Sequence, residues 1–420
     1  MHQFKKAVVY KTTKKTNRMN KLIALIVAII ISHFPVLSQN SDKITIGKIE
    51  RFHSNILKEN RNIWVYNPGS EQTKLNETDR YPVLYLLDAE DHFYSTVGMI
   101  KQMSGRWPEM IVIGITNTNR DRDLKPTIKN LKGNPNPDSG GGDNFMNFIE
   151  KELIPHIDSI YPTAPYRIFS GHSLGGLTVI NTFLNNTQLF NAYIAIDPSL
   201  WWNNQSLVKQ AQEVLATKKF KNTSLFVGRS NNMPDNMDTL TALKDTTQYT
   251  MLFRSVVKFI DVLRNSKLGD LRWTSKFYPE EIHGTVELIG EYEALRFLFN
   301  YYQFRTSNFE LHPNMNIDSA LNAHFQNVSK KLGYKVLPSK SLVNNLGYSC
   351  MALKKWEKAE YFFKLNIDNY PDDANGYDSM GDFYQNIGNT KKAIENYSKA
   401  LTLGNDPDTK RKLGELQKQK

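Results

Sequence analysis

Cysteine is nearly absent from this sequence of 420 residues, because Cys350 is the only one. A single thiol cannot form an internal disulfide, so no disulfide framework contributes to the fold. No cysteine follows the apolar segment near the N-terminus, where a lipid-modified residue would stand. Histidines are also scattered without the spacing of metal ligands, so the sequence implies no metal and no other cofactor.

The N-terminal region lacks an apolar run long enough to cross a membrane. The run Leu22 to Val36 is interrupted by polar residues and a proline, and it falls short of the ~20 residues that a spanning helix needs. It follows Met19-Asn20-Lys21 and ends in Leu37-Ser38-Gln39, the order of a secretory signal peptide. We therefore predict a signal peptide over residues 1–39, with Met19 as a candidate true start. The prediction places the protein in the bacterial periplasm or outside the cell, and an N-terminal membrane anchor is the alternative.

Acidic residues are missing from the first 21 positions, which hold seven lysines and arginines. These seven account for most of the formal net charge of +11. Part of the remaining excess lies in a basic C-terminal tail, residues 406–420. Because no concentrated basic face is left for the folded part, nucleic acid is not a predicted partner.

The sequence does contain short apolar segments that alternate with helical patterns. Tyr81 to Leu87 and Met110 to Ile115 are apolar throughout, as expected of strands buried on both faces of a parallel sheet. Other strands are predicted at 43–50, 62–66, 192–196, 224–227 and 272–278. Strands that alternate with helices indicate an α/β fold, a mostly parallel sheet flanked by helices, over residues 43–302.

The connection from Thr116 to Asp143 is long and polar and ends in three glycines. Loops of this length are uncommon in compact domains and usually bind or cover a ligand. Phe145 to Tyr161 follows it and shows apolar residues at helical spacing, which predicts one amphipathic helix.

A repeat with a period of 34 residues occupies the C-terminal part. Gly347 recurs as Gly381, Ala359 as Ala393, and Phe363 as Tyr397. Small residues at helix crossings with large ones between them, at this period, predict two tetratricopeptide-like repeats over residues 341–405. Residues 303–340 then form a helical linker to the sheet domain. Such repeats bind peptides or protein partners, or they brace a fold, and both roles stay open.

The frame Gly171-His172-Ser173-Leu174-Gly175 stands between a predicted strand and a predicted helix. A G-x-S-x-G pentapeptide in this context is the nucleophile-elbow signature, which presents a serine hydroxyl above the edge of a sheet. Ser173 is therefore the candidate nucleophile.

A serine hydroxyl needs a neighbouring base to accept its proton. His283 is the candidate, because it lies in a loop just after a predicted sheet strand, with Gly284 beside it. The carboxylate that would orient this histidine usually follows the preceding strand of the sheet. Asp235 and Asp238 are the carboxylates in that loop. Asp197, the amide of Asn231, or a dyad without any acid remain alternatives.

An oxyanion intermediate needs two preorganised N–H donors. The backbone of Leu174, after the nucleophile, and that of Ala89, in the turn after the strand Tyr81 to Leu87, are the candidates. Trp201 and Trp202 are predicted walls of the substrate pocket, although core packing explains adjacent aromatics equally well. His172, beside the nucleophile, is a further candidate substrate contact.

Five segments together resemble the bacterial esterase family of α/β-hydrolases that includes the enterobactin-type siderophore esterases and esterase D-like enzymes. They are YPVLYLLD, VIGITNTNRDRDLKPT, YRIFSGHSLGGL, PSLWW and EEIHGTVEL, within Ile46 to Tyr302. Family members with a similar tetratricopeptide tail exist. The resemblance implies Ser173 as nucleophile and His283 as base. The chain departs from the family in having Asp197 in place of a common serine and Ala89 in place of glycine. It also lacks the acidic residue often found at Arg229 to Asn232.

The sequence thus predicts an exported serine esterase that acts on a small-molecule ester through an acyl-enzyme on Ser173. A siderophore-type lactone and an acyl or feruloyl sugar ester both fit this chemistry. The alternative is a catalytically degenerate hydrolase domain that works with its repeats as a binding or scaffold module.

Overall fold

The computed structural model describes residues 44–71, 80–127, 140–306 and 316–418. The predicted signal peptide, residues 1–39, lies outside this range. Within these four segments, no helix combines the length and apolar character needed to span a membrane.

An eight-stranded sheet forms the centre of the region from residue 48 to residue 278. Its strands are β1 (Lys48–Ser54), β2 (Glu59–Tyr66), β3 (Tyr81–Leu87), β4 (Ile111–Ile115), β5 (Thr163–His172), β6 (Ala192–Ile196), β7 (Ser224–Ser230) and β8 (Arg272–Tyr278). They are ordered β1-β2-β4-β3-β5-β6-β7-β8. The pairs β1–β2 and β2–β4 are antiparallel, and all other pairs of neighbouring strands are parallel. The predicted fold, a mostly parallel sheet flanked by helices, is confirmed.

Full burial explains why β3 and β6 were predicted with correct limits. All seven residues of β3 and all five of β6 are buried, so their apolar runs coincide with the strands. The first edge strand was predicted at 43–50 but begins at Lys48. Its limits follow the antiparallel register, which pairs Lys48 with Val65 and Ser54 with Glu59. Cross-strand pairing, which the local pattern does not contain, sets the ends of an edge strand.

Helices cover both faces of the sheet. They are α1 (Ala89–Gln102), α2 (Arg120–Leu124), α3 (Gly142–Phe148), α4 (Ile154–Ile160), α5 (Leu174–Asn185), α6 (Trp202–Thr217), α7 (Thr239–Lys244), α8 (Met251–Asn265) and α9 (Val286–Leu298). One apolar core contains α3 to α6 and α8, and a second core on the opposite face contains α1 and α9.

The helix predicted over residues 145–161 is instead two α-helices joined by a π-helical turn at Ile149–Leu153. Pro155 stands at the start of α4. Because proline has no backbone N–H, it interrupts the regular hydrogen-bond ladder, and the π turn accommodates the break.

An all-helical extension follows, as predicted. Its helices are α10 (Ile317–Leu332), α11 (Lys340–Ala352), α12 (Trp356–Asn369), α13 (Ala374–Asn386), α14 (Thr390–Leu403) and α15 (Pro407–Lys418). The basic C-terminal segment is thus a helix, and Lys412 pairs with Asp378 and Asp382 at 2.9 and 2.7 Å. The tetratricopeptide assignment and the predicted domain limits stay predictions.

The extension packs directly on the sheet region. Val328 and Leu332 of α10 lie in the same buried core as Tyr166 and Phe299. His324 Nε2 lies 2.9 Å from the backbone oxygen of Tyr302. Residues of the predicted linker are therefore part of an apolar core that they share with the sheet region.

Candidate active site

Ser173 stands at the turn between β5 and α5. Its φ of 58° and ψ of −116° are unusual for a residue with a side chain. A Cβ atom placed on Gly171 would lie 2.6 Å from the carbonyl carbon of Gly175, so the turn can close only with glycine at position 171. The backbone N–H of Ser173 donates to the oxygen of Ile196 at 3.0 Å, which ties the elbow to β6. These contacts give the serine one defined orientation.

Three side chains form a continuous hydrogen-bonded row at the carboxyl ends of the parallel strands. His283 Nε2 lies 2.9 Å from Ser173 Oγ, and His283 Nδ1 lies 2.6 Å from Asp197 Oδ2. Ser173 follows β5, Asp197 follows β6 and His283 follows β8. The structure therefore brings together the predicted nucleophile and the predicted base, with an aspartate behind the base.

Asp197 is almost fully buried and has a φ of 41°. Its carboxylate accepts hydrogen bonds from the Ser230 backbone N–H at 3.1 Å, from Ser230 Oγ at 2.6 Å and from Asn232 Nδ2 at 2.6 Å. Burial by itself raises the pKa of Asp197, but the hydrogen bonds from His283 and Ser230 outweigh it and hold that pKa below its ordinary value. The carboxylate is therefore ionised at neutral pH and fixed against the histidine.

The aspartates that the sequence placed first, Asp235 and Asp238, have other positions. Asp238 is the N-cap of α7, where its carboxylate accepts from the Thr241 backbone N–H at 2.8 Å. Asp235 is exposed in the same loop. The predicted contact of either residue with His283 is corrected to Asp197, because the end of β7 and the loop after it present Ser230 and Asn232, rather than these carboxylates, to the site.

Asn231, another alternative, positions the loop that carries His283. Its backbone N–H donates to the oxygen of Glu281 at 2.7 Å, and its Nδ2 donates to the oxygen of Pro279 at 3.0 Å. Sequence reasoning did not single out Ser230, Asn232 or Ser199, whose Oγ lies 3.3 Å from Ser173 Oγ. Their common signal is a short polar side chain at the C-terminal end of a buried strand or within three residues of it.

The two predicted oxyanion donors are the first residues of two helices. Leu174 begins α5 and Ala89 begins α1. The first N–H groups of a helix have no intrahelical acceptor and carry the positive end of the helix dipole. A Cβ atom on Gly175 would lie 3.2 Å from Asp88 Oδ2, so the turn before α1 is in contact with the start of α5.

The predicted pocket residues differ in their surroundings. Trp202 lies in the apolar core and Trp201 packs against it, which agrees with the packing interpretation. Trp202 also lines a cavity of about 510 Å³ together with Asn181 and Asn203. A substrate contact by either tryptophan stays a prediction.

His172 packs against the candidate base. Its ring centroid lies 4.6 Å from that of His283 and 5.9 Å from that of His92. Burial, with the neighbouring rings of His283 and His92, lowers the pKa of His172 to about 4, so this ring is neutral at neutral pH. A direct substrate contact by His172 stays a prediction.

Two buried glutamates of α9 lie behind the elbow. Glu291 accepts from Thr96 Oγ1 at 2.5 Å and from Ser170 Oγ at 3.3 Å. Burial raises the pKa of Glu291 to about 7, and burial together with Glu291 and Asp88 raises that of Glu287 well above its usual range. In the part of the chain that the structure describes, no group of three or more potential ligands could hold a metal ion.

A serine on a strand-to-helix elbow of a mostly parallel sheet, with its histidine and carboxylate partners on later strands, defines the α/β-hydrolases. The chain is a protein of this class. Residues 54–277 match the protein family described as "Putative esterase", and the chain belongs to that family.

The sequence matches to named relatives extend over only part of this chain. It is 35% identical over 163 residues to the ferri-bacillibactin esterase BesA of Bacillus subtilis, a match of 34% of this chain and 56% of that protein. It is 27% identical over 154 residues to the siderophore enterobactin esterase of Emericella nidulans, covering 32% and 51% of the two chains. The chain thus spans about half the length of the curated relatives that it matches.

Solved structures cover more of the chain. An IroE-like serine hydrolase from Shewanella oneidensis is 29% identical, with a TM-score of 0.62 over 77% of this chain and 99% of that one. An uncharacterised protein from Capnocytophaga ochracea, 20% identical, has a TM-score of 0.58 over 89% and 99%. The second similarity shows that the shared fold extends beyond the sheet into the helical extension.

Proposed function

We propose that this protein hydrolyses carboxylic esters through an acyl-enzyme on Ser173. The observation that carries the proposal is the hydrogen-bonded row from Ser173 through His283 to Asp197. In this mechanism Ser173 Oγ attacks the ester carbonyl carbon while His283 Nε2 accepts the hydroxyl proton. Asp197 stabilises the resulting imidazolium and keeps the ring in the required tautomer.

The tetrahedral intermediate places a negative charge on the former carbonyl oxygen. We assign its stabilisation to the backbone N–H groups of Leu174 and Ala89, the leading residues of α5 and α1. Collapse of the intermediate breaks the carbon–oxygen bond to the alcohol, and His283 donates its proton to that leaving oxygen. Water then attacks the acyl-enzyme, His283 accepts a proton from it, and the proton returns to Ser173 Oγ as the carboxylic acid leaves.

For the substrate we propose a siderophore ester. Support comes from the names of the relatives, which include a ferri-bacillibactin esterase and a siderophore enterobactin esterase. A comparison of kcat/KM for a catecholate trilactone, a feruloyl sugar ester and a short-chain p-nitrophenyl ester tests this class. Preference for the sugar ester over the trilactone would contradict it.

Replacement of the nucleophile tests the mechanism. We expect Ser173→Ala to abolish hydrolysis of a p-nitrophenyl ester and labelling by a fluorophosphonate probe, with an unchanged melting temperature. Ser199, whose hydroxyl is 3.3 Å from that of Ser173, is retained in this variant, so loss of labelling identifies the reactive serine. Retained turnover or labelling in this variant would place the reaction at another residue, whereas absence of both in the wild-type protein would support the alternative of a degenerate binding module.

We also propose that the protein is exported to the periplasm or the cell exterior, on the basis of the basic and apolar order of residues 1–39. The mass of the mature protein from the producing cell tests this proposal. A mature chain that retains Leu22 to Val36 in the membrane fraction would identify an anchor instead.

For the helical extension we propose a bracing role. Support comes from the core that Val328 and Leu332 share with Tyr166, and from the contact of His324 with Tyr302. A peptide or protein partner of the extension stays a second prediction from the repeat pattern.

A further inference from the structure

The turn between β3 and α1 is held by an aspartate with three hydrogen bonds. Asp88 has a left-handed backbone conformation, with φ 53° and ψ 49°, and its side chain is 3% exposed. Arg120 donates to both carboxylate oxygens, from Nε at 2.7 Å and from Nη2 at 2.9 Å, and Asn117 Nδ2 donates at 2.7 Å. A bidentate guanidinium–carboxylate pair of this kind fixes both partners in distance and in orientation.

The same carboxylate borders both candidate oxyanion donors. Ala89 follows Asp88 directly in sequence. On the other side, the 3.2 Å separation between Asp88 Oδ2 and a Cβ atom on Gly175 brings the carboxylate against the residue that follows Leu174. Asp88 therefore lies between the two helix starts, and its carboxylate packs closely against the start of α5.

A carboxylate at this position has two opposing effects. Its hydrogen bonds fix the turn, but its negative charge disfavours a second negative charge on a nearby oxyanion. The guanidinium of Arg120 removes this conflict, because the bidentate pair carries no net charge. Other titratable groups near Asp88 are Glu287 of α9 and His92 of α1.

We propose that Asp88 and Arg120 are a positioning pair, in which Asp88 aligns the two oxyanion donors and Arg120 neutralises the carboxylate so that the alignment does not oppose catalysis. The pair acts on the oxyanion through the backbone of Ala89 and Leu174 and through the local charge. This inference rests on the proposed ester hydrolysis.

The test is a double-mutant cycle in the full-length protein. In Arg120→Gln the carboxylate is left without its countercharge, so we expect kcat for a p-nitrophenyl ester to fall about 10- to 100-fold, with little change in KM. Addition of Asp88→Asn removes the uncompensated charge, so we expect the double variant to be about 3- to 10-fold faster than Arg120→Gln. It should stay slower than wild type, because the bidentate contact that aligns the donors is also lost. A merely structural pair would show the loss and the recovery in the melting temperature, with kcat of the folded variants unchanged.

Arg122→Gln is the matched control, because Arg122 lies two residues further along the same short helix, α2. It pairs with Glu59 at 2.8 Å and with Asp123 at 2.7 Å, away from Asp88. We expect this variant to lose stability while its kcat stays near that of wild type.

Three results would overturn the inference. These are an unchanged kcat in Arg120→Gln, a double variant no faster than Arg120→Gln, or a rise in KM alone, which would make Arg120 a substrate contact. Failure of the proposed function itself is recognised separately, because the wild-type protein would then neither turn over the ester nor label with the fluorophosphonate probe.

Discussion

The sheet region and the helical extension differ in which residues adopt an unusual backbone conformation or allow an unusually close approach. In the sheet region, Asp88, Ser173 and Asp197 have positive φ although none is glycine, and they follow β3, β5 and β6 directly. In the extension, the close approaches are made by glycines inside regular helices. A Cβ atom on Gly347 would lie 2.6 Å from the ring of Phe363, and one on Gly381 would lie 2.5 Å from the ring of Tyr397.

The two patterns have different physical meanings. A non-glycine residue held in a sparsely populated conformation costs about 1–3 kcal/mol and persists only where its surroundings determine it. Asp88, Ser173 and Asp197 all lie at one edge of the sheet, where each also makes a hydrogen bond of the candidate site. The glycines of the extension only allow two helices to approach. The comparison thus separates the strained residues of the candidate site from the glycines that serve helix packing.

The largest predicted effect comes from the carboxylate behind the histidine. We expect Asp197→Asn to lower kcat about 10³- to 10⁴-fold, because an amide neither holds the required tautomer of His283 nor stabilises its charged form. Steady-state hydrolysis of a p-nitrophenyl ester measures this. Since the side chain keeps its size, the folded state is retained, and circular dichroism checks it.

Asp238→Asn is the control for this experiment. Asp238 caps α7 through the Thr241 backbone N–H at an exposed position, so we expect only a small loss of stability and no change in kcat. A large loss of activity in Asp238→Asn, with full activity in Asp197→Asn, would move the acid back to the loop after β7.

The sequence was sufficient to name Ser173 and His283, whose side chains the structure places in contact, because each has a local signal. The pentapeptide marks the nucleophile, and His283 directly follows a predicted strand beside a glycine. The acid has no such signal, since Asp197, Asp235 and Asp238 all follow strands. The choice depends on which strand ends lie beside His283, and the hydrogen bonds of Ser230 and Asn232 to Asp197 exist only in three dimensions.

The same distinction holds for the fold. Strands β3, β6 and β8 were predicted within their observed limits. For β3 and β6, full burial makes composition itself the signal. The edge strand β1 and the interrupted helix around Ile149–Leu153 were misplaced, because strand pairing and the break at Pro155 set their limits. Local sequence therefore predicted the fully buried strands β3 and β6, and also the mostly half-buried edge strand β8. It misplaced the two elements whose limits depend on strand pairing or on a break in the helix.

A glycine variant of the extension tests the packing half of the comparison. We expect Gly381→Ala to cost about 1–3 kcal/mol, because its Cβ atom would meet the ring of Tyr397 at 2.5 Å. Thermal unfolding measures the loss, and kcat at a temperature where the protein stays folded should match wild type. If the extension braces the sheet region, the temperature at which activity is lost falls together with the unfolding temperature.

Gly414→Ala is the matched control. Gly414 lies within α15, and a Cβ atom there meets nothing within 4 Å. The exchange should stabilise the helix by up to about 1 kcal/mol, because alanine has the higher helix propensity. Equal destabilisation by both alanines would show that the glycine contacts do not decide the packing of the extension.

The smallest predicted effect concerns the pH dependence of stability in the sheet region. The pKa of Glu291 is about 7 in the folded protein, whereas the ordinary value of 4.5 applies when the chain is unfolded. The folded state therefore binds the proton more tightly, so this contribution to stability is fully present below pH 4.5 and is lost as the pH rises through 7.

We expect Glu291→Gln, which cannot ionise, to reduce the fall in melting temperature between these pH values. Glu213→Gln, at an exposed position on α6, is the control that should leave the fall unchanged. An identical pH profile for Glu291→Gln and wild type would mean that the buried carboxyl of Glu291 does not take up a proton on folding, and the sheet region would then resemble the extension in this respect.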